Sequence, residues 1–310
     1  MKPKVKKLLS AAILVILIAL AIYYIKGNWE SFRALQIVNP WYIVILAVIM
    51  FLVSASNGLI TKAILEPFGI KLRVKEWVGL SIITTFYNTI TPFKGGMFAR
   101  AAYLKKKHNF SITNFFATYV GIYVISFFIF GLIGLITVWI VYARYGIFNP
   151  VVFLIFLGLF VILGLIMLFR PRFRKFENRF LNKISEVANG WNVIRQSPKI
   201  IGVSIVVILI QIILGTLATL LSYRVFGVEI TFIQSLFLVS IGTIVGLIQI
   251  TPGNLGISEA IAVFSALIIN IAPAQSLSVA LLGRAVGLVV LIILGPIFSY
   301  ILMKKDEKSK

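Results

Sequence analysis

The sequence predicts an all-α, polytopic membrane helix bundle: about six full transmembrane helices plus two broken, re-entrant helical hairpins, arranged as a possible inverted repeat. Three observations carry this. The 310 residues are 60% hydrophobic and only 13% charged, where a soluble domain carries about a quarter charged residues. The apolar residues form long runs, and the basic residues fall into the gaps between them, as the positive-inside rule requires. Two runs are interrupted by a proline followed by glycines, at Ile90-Thr-Pro-Phe-Lys-Gly-Gly-Met97 and at Ile250-Thr-Pro-Gly-Asn-Leu-Gly-Ile-Ser-Glu259.

Net charge is +21, from thirty Lys and Arg against nine Asp and Glu. With the cations confined to the flanks of apolar runs, the implied partner is an anionic lipid surface and not nucleic acid. The chain has no cysteine and a single histidine, which excludes disulfides, thiol catalysis and the usual zinc ligand sets. No cofactor is expected. His108, inside Lys105-Lys-Lys-His-Asn, reads as a solvated loop residue.

In chain order, 8–25 is apolar behind Lys2, Lys4, Lys6 and Lys7. It is longer than a signal-peptide core and lacks a small-x-small cleavage site, so it reads as an uncleaved first helix with its N-terminus inside. The run 41–61 is long enough to return across a core of about 30 Å, with Trp41 and Tyr42 in the interfacial belt. The run 77–91 would be only about 22 Å long as a helix, and it contains Thr84, Thr85, Asn88 and Thr89. Pro92 and the cations Lys94, Arg100, Lys105, Lys106 and Lys107 follow it. A crossing here would place those cations outside. A hairpin entering from the cytoplasm and turning at 91–96 keeps them inside, and broken backbone is tolerated at depth where protein or a wet cavity surrounds it.

The run 115–142 spans, with Gly131 and Gly134 allowing close helix contact, and 150–169 returns. Segment 170–199 holds eight basic residues. Its apolar positions Phe173, Phe176, Phe180, Ile184 and Val187 recur at helical spacing, so it is either an amphipathic surface helix or a solvated linker between halves. The whole chain, 1–310, then forms one integral membrane domain, with half 1 at about 1–169 and half 2 at about 200–303. In the second half 200–221 crosses, 232–251 runs to the second break, 257–271 leads away from it, and 278–303 is the last helix. The region 232–271 is either a hairpin entered from outside or two full crossings, and both leave the C-terminus inside. Segments assigned inside carry twenty-five basic residues and those outside carry four, so both termini are expected in the cytoplasm and the protein in the cell membrane.

Glu259 and Arg284 read as the ionisable side chains placed at membrane depth, where each costs about 2.5–3.5 kcal/mol on insertion scales. They are functional candidates as a pair lining a polar cavity; the plain alternative is that they bridge two helices. The breaks at Pro92, Gly95, Gly96 and at Pro252, Gly253, Gly256 each end one helix and start another. That exposes backbone N–H groups and a positive helix end, an anion site that Lys94 and Arg100 would reinforce beside the first break. Transporters often build substrate sites from broken helices in corresponding positions of inverted repeats.

Three stretches carry a family resemblance: Thr91-Pro-Phe-Lys-Gly-Gly-Met-Phe-Ala-Arg100, Thr251-Pro-Gly-Asn-Leu-Gly-Ile-Ser-Glu-Ala260 and Leu281-Leu-Gly-Arg284. In these the chain resembles the flippase-like membrane proteins related to the transmembrane region of lysylphosphatidylglycerol synthase. The resemblance implies a stand-alone lipid-handling domain that moves or binds a phospho- or glycolipid with an anionic headgroup. It departs at one position, because the family's first motif has Gly-Glu where this chain has Gly96-Met97. The role of that Glu is lost here or has moved to Glu259. The soluble synthase domain of the bifunctional relatives does not follow, so aminoacyl transfer is not implied and the chain is not expected to be an enzyme. The alternatives are a non-catalytic partner of a lipid-modifying synthase or glycosyltransferase and, less favoured, a membrane enzyme on a lipid-linked substrate.

Overall fold

The computed structural model describes residues 36–169, 189–244 and 249–304, together with isolated positions 26, 30, 181 and 185. The expected first helix at 8–25 and the apolar stripe of the basic segment lie outside the described residues. Within them the chain is helical and holds no strand, as it must be where a bilayer offers no partner for a free backbone group. The helices are α1 (Trp41–Leu65), α2 (Val74–Ile90), α3 (Gly95–His108), α4 (Ile112–Tyr145), α5 (Pro150–Phe169), the short α6 (Gly190–Ile194), α7 (Pro198–Val225), α8 (Phe232–Ile244), α9 (Ile257–Ile268) and α10 (Pro273–Lys304). Five of these, α1, α4, α5, α7 and α10, are long and apolar enough to cross a membrane.

Packing sets their directions. Near the start of α1, Val38 N–H donates to Val225 O at 2.8 Å, so α1 begins where α7 ends. Just past the other end of α1, Glu66 pairs with Lys199 at 2.5 Å, at the start of α7. The helix α2 begins at this same end, with Gly79 against Phe298 and Leu302 near the C-terminus of α10. One end of the bundle thereby gathers Lys62, Lys71, Lys75, the lysines of 105–107 and Lys199, while the opposite end carries Arg144 and Arg224. The charge asymmetry read along the chain is thus an asymmetry in space.

The two shorter helix pairs are hairpins entering from opposite ends. From the basic end α2 rises to Ile90, the chain turns at 91–94, and α3 comes back. From the other end α8 descends, and α9 returns to it, reaching Ile268 just before Pro273 starts α10. The first turn of α9 lies beside Arg284, which is roughly 17 Å into α10 at 1.5 Å per residue. The region 232–271 is therefore a re-entrant hairpin and not two crossings. The two tips touch: Gln249 Nε2 donates to Asn88 O at 2.7 Å.

The buried core lies in two main clusters, one toward the basic end around Leu80, Phe115 and Ile125 and one toward the other around Phe156, Phe237 and Ile241. On the periphery, α5 exposes Leu154, Ile162, Leu168 and Phe169. Such a surface would be a liability in water and is the expected face toward lipid. Gly134 lets α4 lie directly on the ring of Phe156 in α5.

Candidate functional site

The first tip begins with a proline. The residue before a proline is driven out of the helical region, and Thr91 accordingly ends α2 with extended backbone, φ −119 and ψ 145. Phe93 and Lys94 then turn the chain through the left-handed region, at φ 56 and φ 54. Lys94 is the N-cap of α3, and no side chain caps that helix start. A Cβ on Gly96 would collide with Thr84 O and stand 2.8 Å from Asn88 Oδ1, so the glycine is what lets α3 lie against α2.

That close approach brings Arg100 into the interior. It is 4% exposed, and three helices supply its hydrogen-bond partners. Its Nε donates to Thr84 Oγ1 at 2.7 Å, and its Nη1 donates to Thr61 Oγ1 at 2.8 Å and to the Tyr119 hydroxyl. Thr61 and Tyr119 share a further hydrogen bond of 2.7 Å. Lys94 Nζ lies over the Tyr123 ring, 4.8 Å from its centre. Neither cation meets a carboxylate among the described residues.

The second tip is built differently. Gly253 (φ 55) and Asn254 (φ 54) turn the chain, and α9 starts after Gly256, with Glu259 as its third residue. Glu259 Oε2 accepts the Gly256 N–H at 2.7 Å and the Ser258 hydroxyl at 3.1 Å. Its other oxygen accepts Arg284 Nε. Arg284 Nη2 completes the cluster, donating to Ser258 Oγ at 2.8 Å and to Gly253 O at 3.2 Å. This tip is electrically neutral and its carboxylate is occupied on both oxygens, whereas the first tip carries two unbalanced positive charges.

Three cavities run through this region. One of about 280 Å³ under the first tip is lined by Asn57, Thr84, Asn88, Lys94, Arg100 and Gln211, among others. One of about 370 Å³ is bordered by Thr89, Gly253, Glu259 and Arg284. Between them a groove of about 570 Å³ shares Thr85 and Thr243 with the first cavity and Ser258 and Ala280 with the second. Beside the first cavity, a hollow of about 310 Å³ is lined by Phe93, Lys94, Phe98 and Tyr123. Phe93 and Phe98 are exposed, so the hollow leads from Lys94 to the lipid-facing surface.

All ten residues singled out in the sequence lie at the two tips or on the helices against them. The structure does not bring Arg284 into the cavity of Lys94 and Arg100. Instead Gly253, packed against both Thr89 and Arg284, separates a cationic chamber from a neutral one. Two expectations are corrected. Glu259 and Arg284 are not the only embedded charges, since Arg100 is buried more deeply than either; its place between Met97, Ala101 and Leu104 on the buried stripe of α3 takes it to depth although a basic run follows it. His108 is not a free loop residue: it ends α3 with Nε2 2.8 Å from Glu76 Oε1, where Tyr103 also donates at 3.0 Å. Sequence reasoning missed Asn57 and Gln211, which line the first cavity, and Thr61, which accepts from Arg100. The signal was Asn57 and Thr61 one helical turn apart inside an apolar run, where Gln211 now bonds Asn57 Oδ1 at 3.2 Å.

These features define a class, a polytopic helical membrane protein with two opposed re-entrant hairpins whose tips meet inside the bundle. The family model for the lysylphosphatidylglycerol synthase TM region matches residues 7–295, and the chain belongs to that family. A UPF0104 membrane protein of Methanocaldococcus jannaschii is 25% identical over 336 aligned residues, an alignment that covers 100% of this chain and 99% of the relative. No solved structure matches the chain.

Proposed function

We propose that this protein is a lipid translocase that takes an anionic headgroup from the bilayer into the chamber at the first tip and passes it along the groove between the two hairpins. The observation that carries the reading is the unbalanced pair Lys94 and Arg100, set in a polar cavity with a side opening among exposed phenylalanines. A buried cation without a counter-charge is costly in a membrane, and a transient anionic ligand removes that cost each time it binds. The groove has largely apolar walls, with Ile49, Val53, Leu238 and Leu291 among them, while Gly215 and Gly283 leave room and Thr219 and Ser222 supply a few hydroxyls along the path. In this reading Glu259 holds Arg284 and the start of α9 in place, the basic end faces the cytoplasm, membrane lipids are the partners, and no bond is made or broken in the lipid.

The experiment is a flipping assay in proteoliposomes with a fluorescent anionic phospholipid. Lys94→Gln and Arg100→Gln should each reduce transport while the protein inserts normally. Wild-type rates in both variants would remove the cationic chamber from the mechanism.

A further inference from the structure

We infer that the headgroup received at the first tip is a phosphate monoester, a dianion, and that Met97 sets this preference; the inference deepens the translocase reading and rests on it for the role of the site. The two tips can be compared through their helix registers. In α9 the N-cap is Gly256 and the third helical residue is Glu259, whose carboxylate caps the helix start and neutralises Arg284. In α3 the N-cap is Lys94 and the third helical residue is Met97, with no side-chain cap. Met97 is buried and lines the cationic cavity. A carboxylate at 97 would cap α3 and stand one turn before Arg100, cancelling one of the two positive charges.

With methionine there, the cavity keeps the charges of Lys94 and Arg100 and the positive end of a helix. A phosphate monoester matches this set. It carries a charge of about −1.5 to −2 near neutral pH and three free oxygens, with a second pKa of about 6. A phosphodiester brings a single charge and two free oxygens, leaving one cation unmatched. A zwitterionic or aminoacylated headgroup brings an ammonium group for which this cavity holds no carboxylate.

The test is thermal unfolding of the full chain in detergent, titrated with a short-chain phosphatidic acid, with phosphatidylglycerol of the same chain length, and with inorganic phosphate. Phosphatidic acid should bind about tenfold more tightly than phosphatidylglycerol, the scale of one added charge-assisted hydrogen bond. Met97→Glu should abolish this difference, and Met97→Gln, similar in size but uncharged, should keep it. Because residue 97 is buried, Lys94→Gln at a half-buried position provides the second arm and should also lose the difference. Equal affinities in the wild type, or the same loss in Met97→Gln as in Met97→Glu, would overturn the inference. Competition by inorganic phosphate supports a site that reads the phosphate alone, and no competition supports one that also reads the lipid. Binding is measured here without transport, so a missing preference leaves the translocase reading intact. A preference without any flipping would instead remove the translocase reading.

Discussion

Gln249 donates its side-chain amide to the backbone carbonyl of Asn88 at 2.7 Å, a bond between residues 161 positions apart that ties the tip of one hairpin to the tip of the other. Both hairpins stop half-way along the bundle, so each tip would otherwise face the next with unmatched backbone groups. Replacing Gln249 with Leu should leave the Asn88 carbonyl without that donor, at a cost of about 1–3 kcal/mol. The check is the melting temperature in detergent, read beside accessibility of a cysteine placed at Thr89. An unchanged melt with unchanged accessibility would mean that the tips hold together without this bond.

The glycines at the tips differ sharply from Gly202. A Cβ on Gly96 would meet the Thr84 carbonyl, and one on Gly253 would lie 3.0 Å from Thr89 O in a residue already at φ 55. In the left-handed region an L side chain alone costs roughly 1–2 kcal/mol. Gly202 has nothing within 4 Å of the same position. Alanine at 96 or 253 should therefore lower the melting temperature, while alanine at 202 should leave it unchanged or raise it through helix propensity. Equal effects at all three sites would show that the hairpins do not depend on this close approach.

The helical class and the two breaks were legible in the sequence for direct reasons. A bilayer forces helices on apolar runs, and Thr-Pro at 91–92 and 251–252 marks where they stop. Whether 232–271 is a hairpin entered from outside or two full crossings was not legible. No cation flanks the turn between α9 and α10, so the charge rule gives 232–271 no sidedness. The contact of Gly253 with Thr89, the Gln249–Asn88 bond and the position of Arg284 beside α9 place its tip in the interior. Arg100 was named as a candidate beside the first break, but its depth was hidden for the opposite reason. It sits in a run with Lys105, Lys106 and Lys107 that reads as surface, and only the buried faces of α3, together with hydroxyls from Thr61, Thr84 and Tyr119 far away in sequence, show that it points inward.

The Glu259–Arg284 pair separates a structural role from a coupling role. Truncating one member leaves the other charge buried and unpaired, which typically costs about 3–5 kcal/mol. Glu259→Gln and Arg284→Gln should each destabilise the protein strongly, and the double variant should recover part of the loss. If the pair only holds the tip, flipping in the double variant should recover in parallel with stability. Full stability without transport would instead give Glu259 a direct part in the transport cycle.

At the basic end, Glu76 provides a test of how the first hairpin is anchored. Burial by itself raises the pKa of this carboxyl, but hydrogen bonds from His108 and Tyr103 and the charge of Lys107 outweigh it and hold the group below its ordinary 4.5. A carboxyl held lower in the folded state binds its proton less readily there than in the unfolded chain. Its stabilisation is therefore complete above the unfolded value and disappears as pH falls through the folded one. Glu76 sits in the first turn of α2, and His108 closes the last turn of α3, so the contact joins the two arms of the hairpin that carries Lys94 and Arg100. Melts of the wild type and Glu76→Gln should differ by a constant amount near neutral pH and converge below about pH 4.5. A difference that stayed constant into acid would show that the carboxylate charge contributes nothing and that the two arms are joined by packing alone.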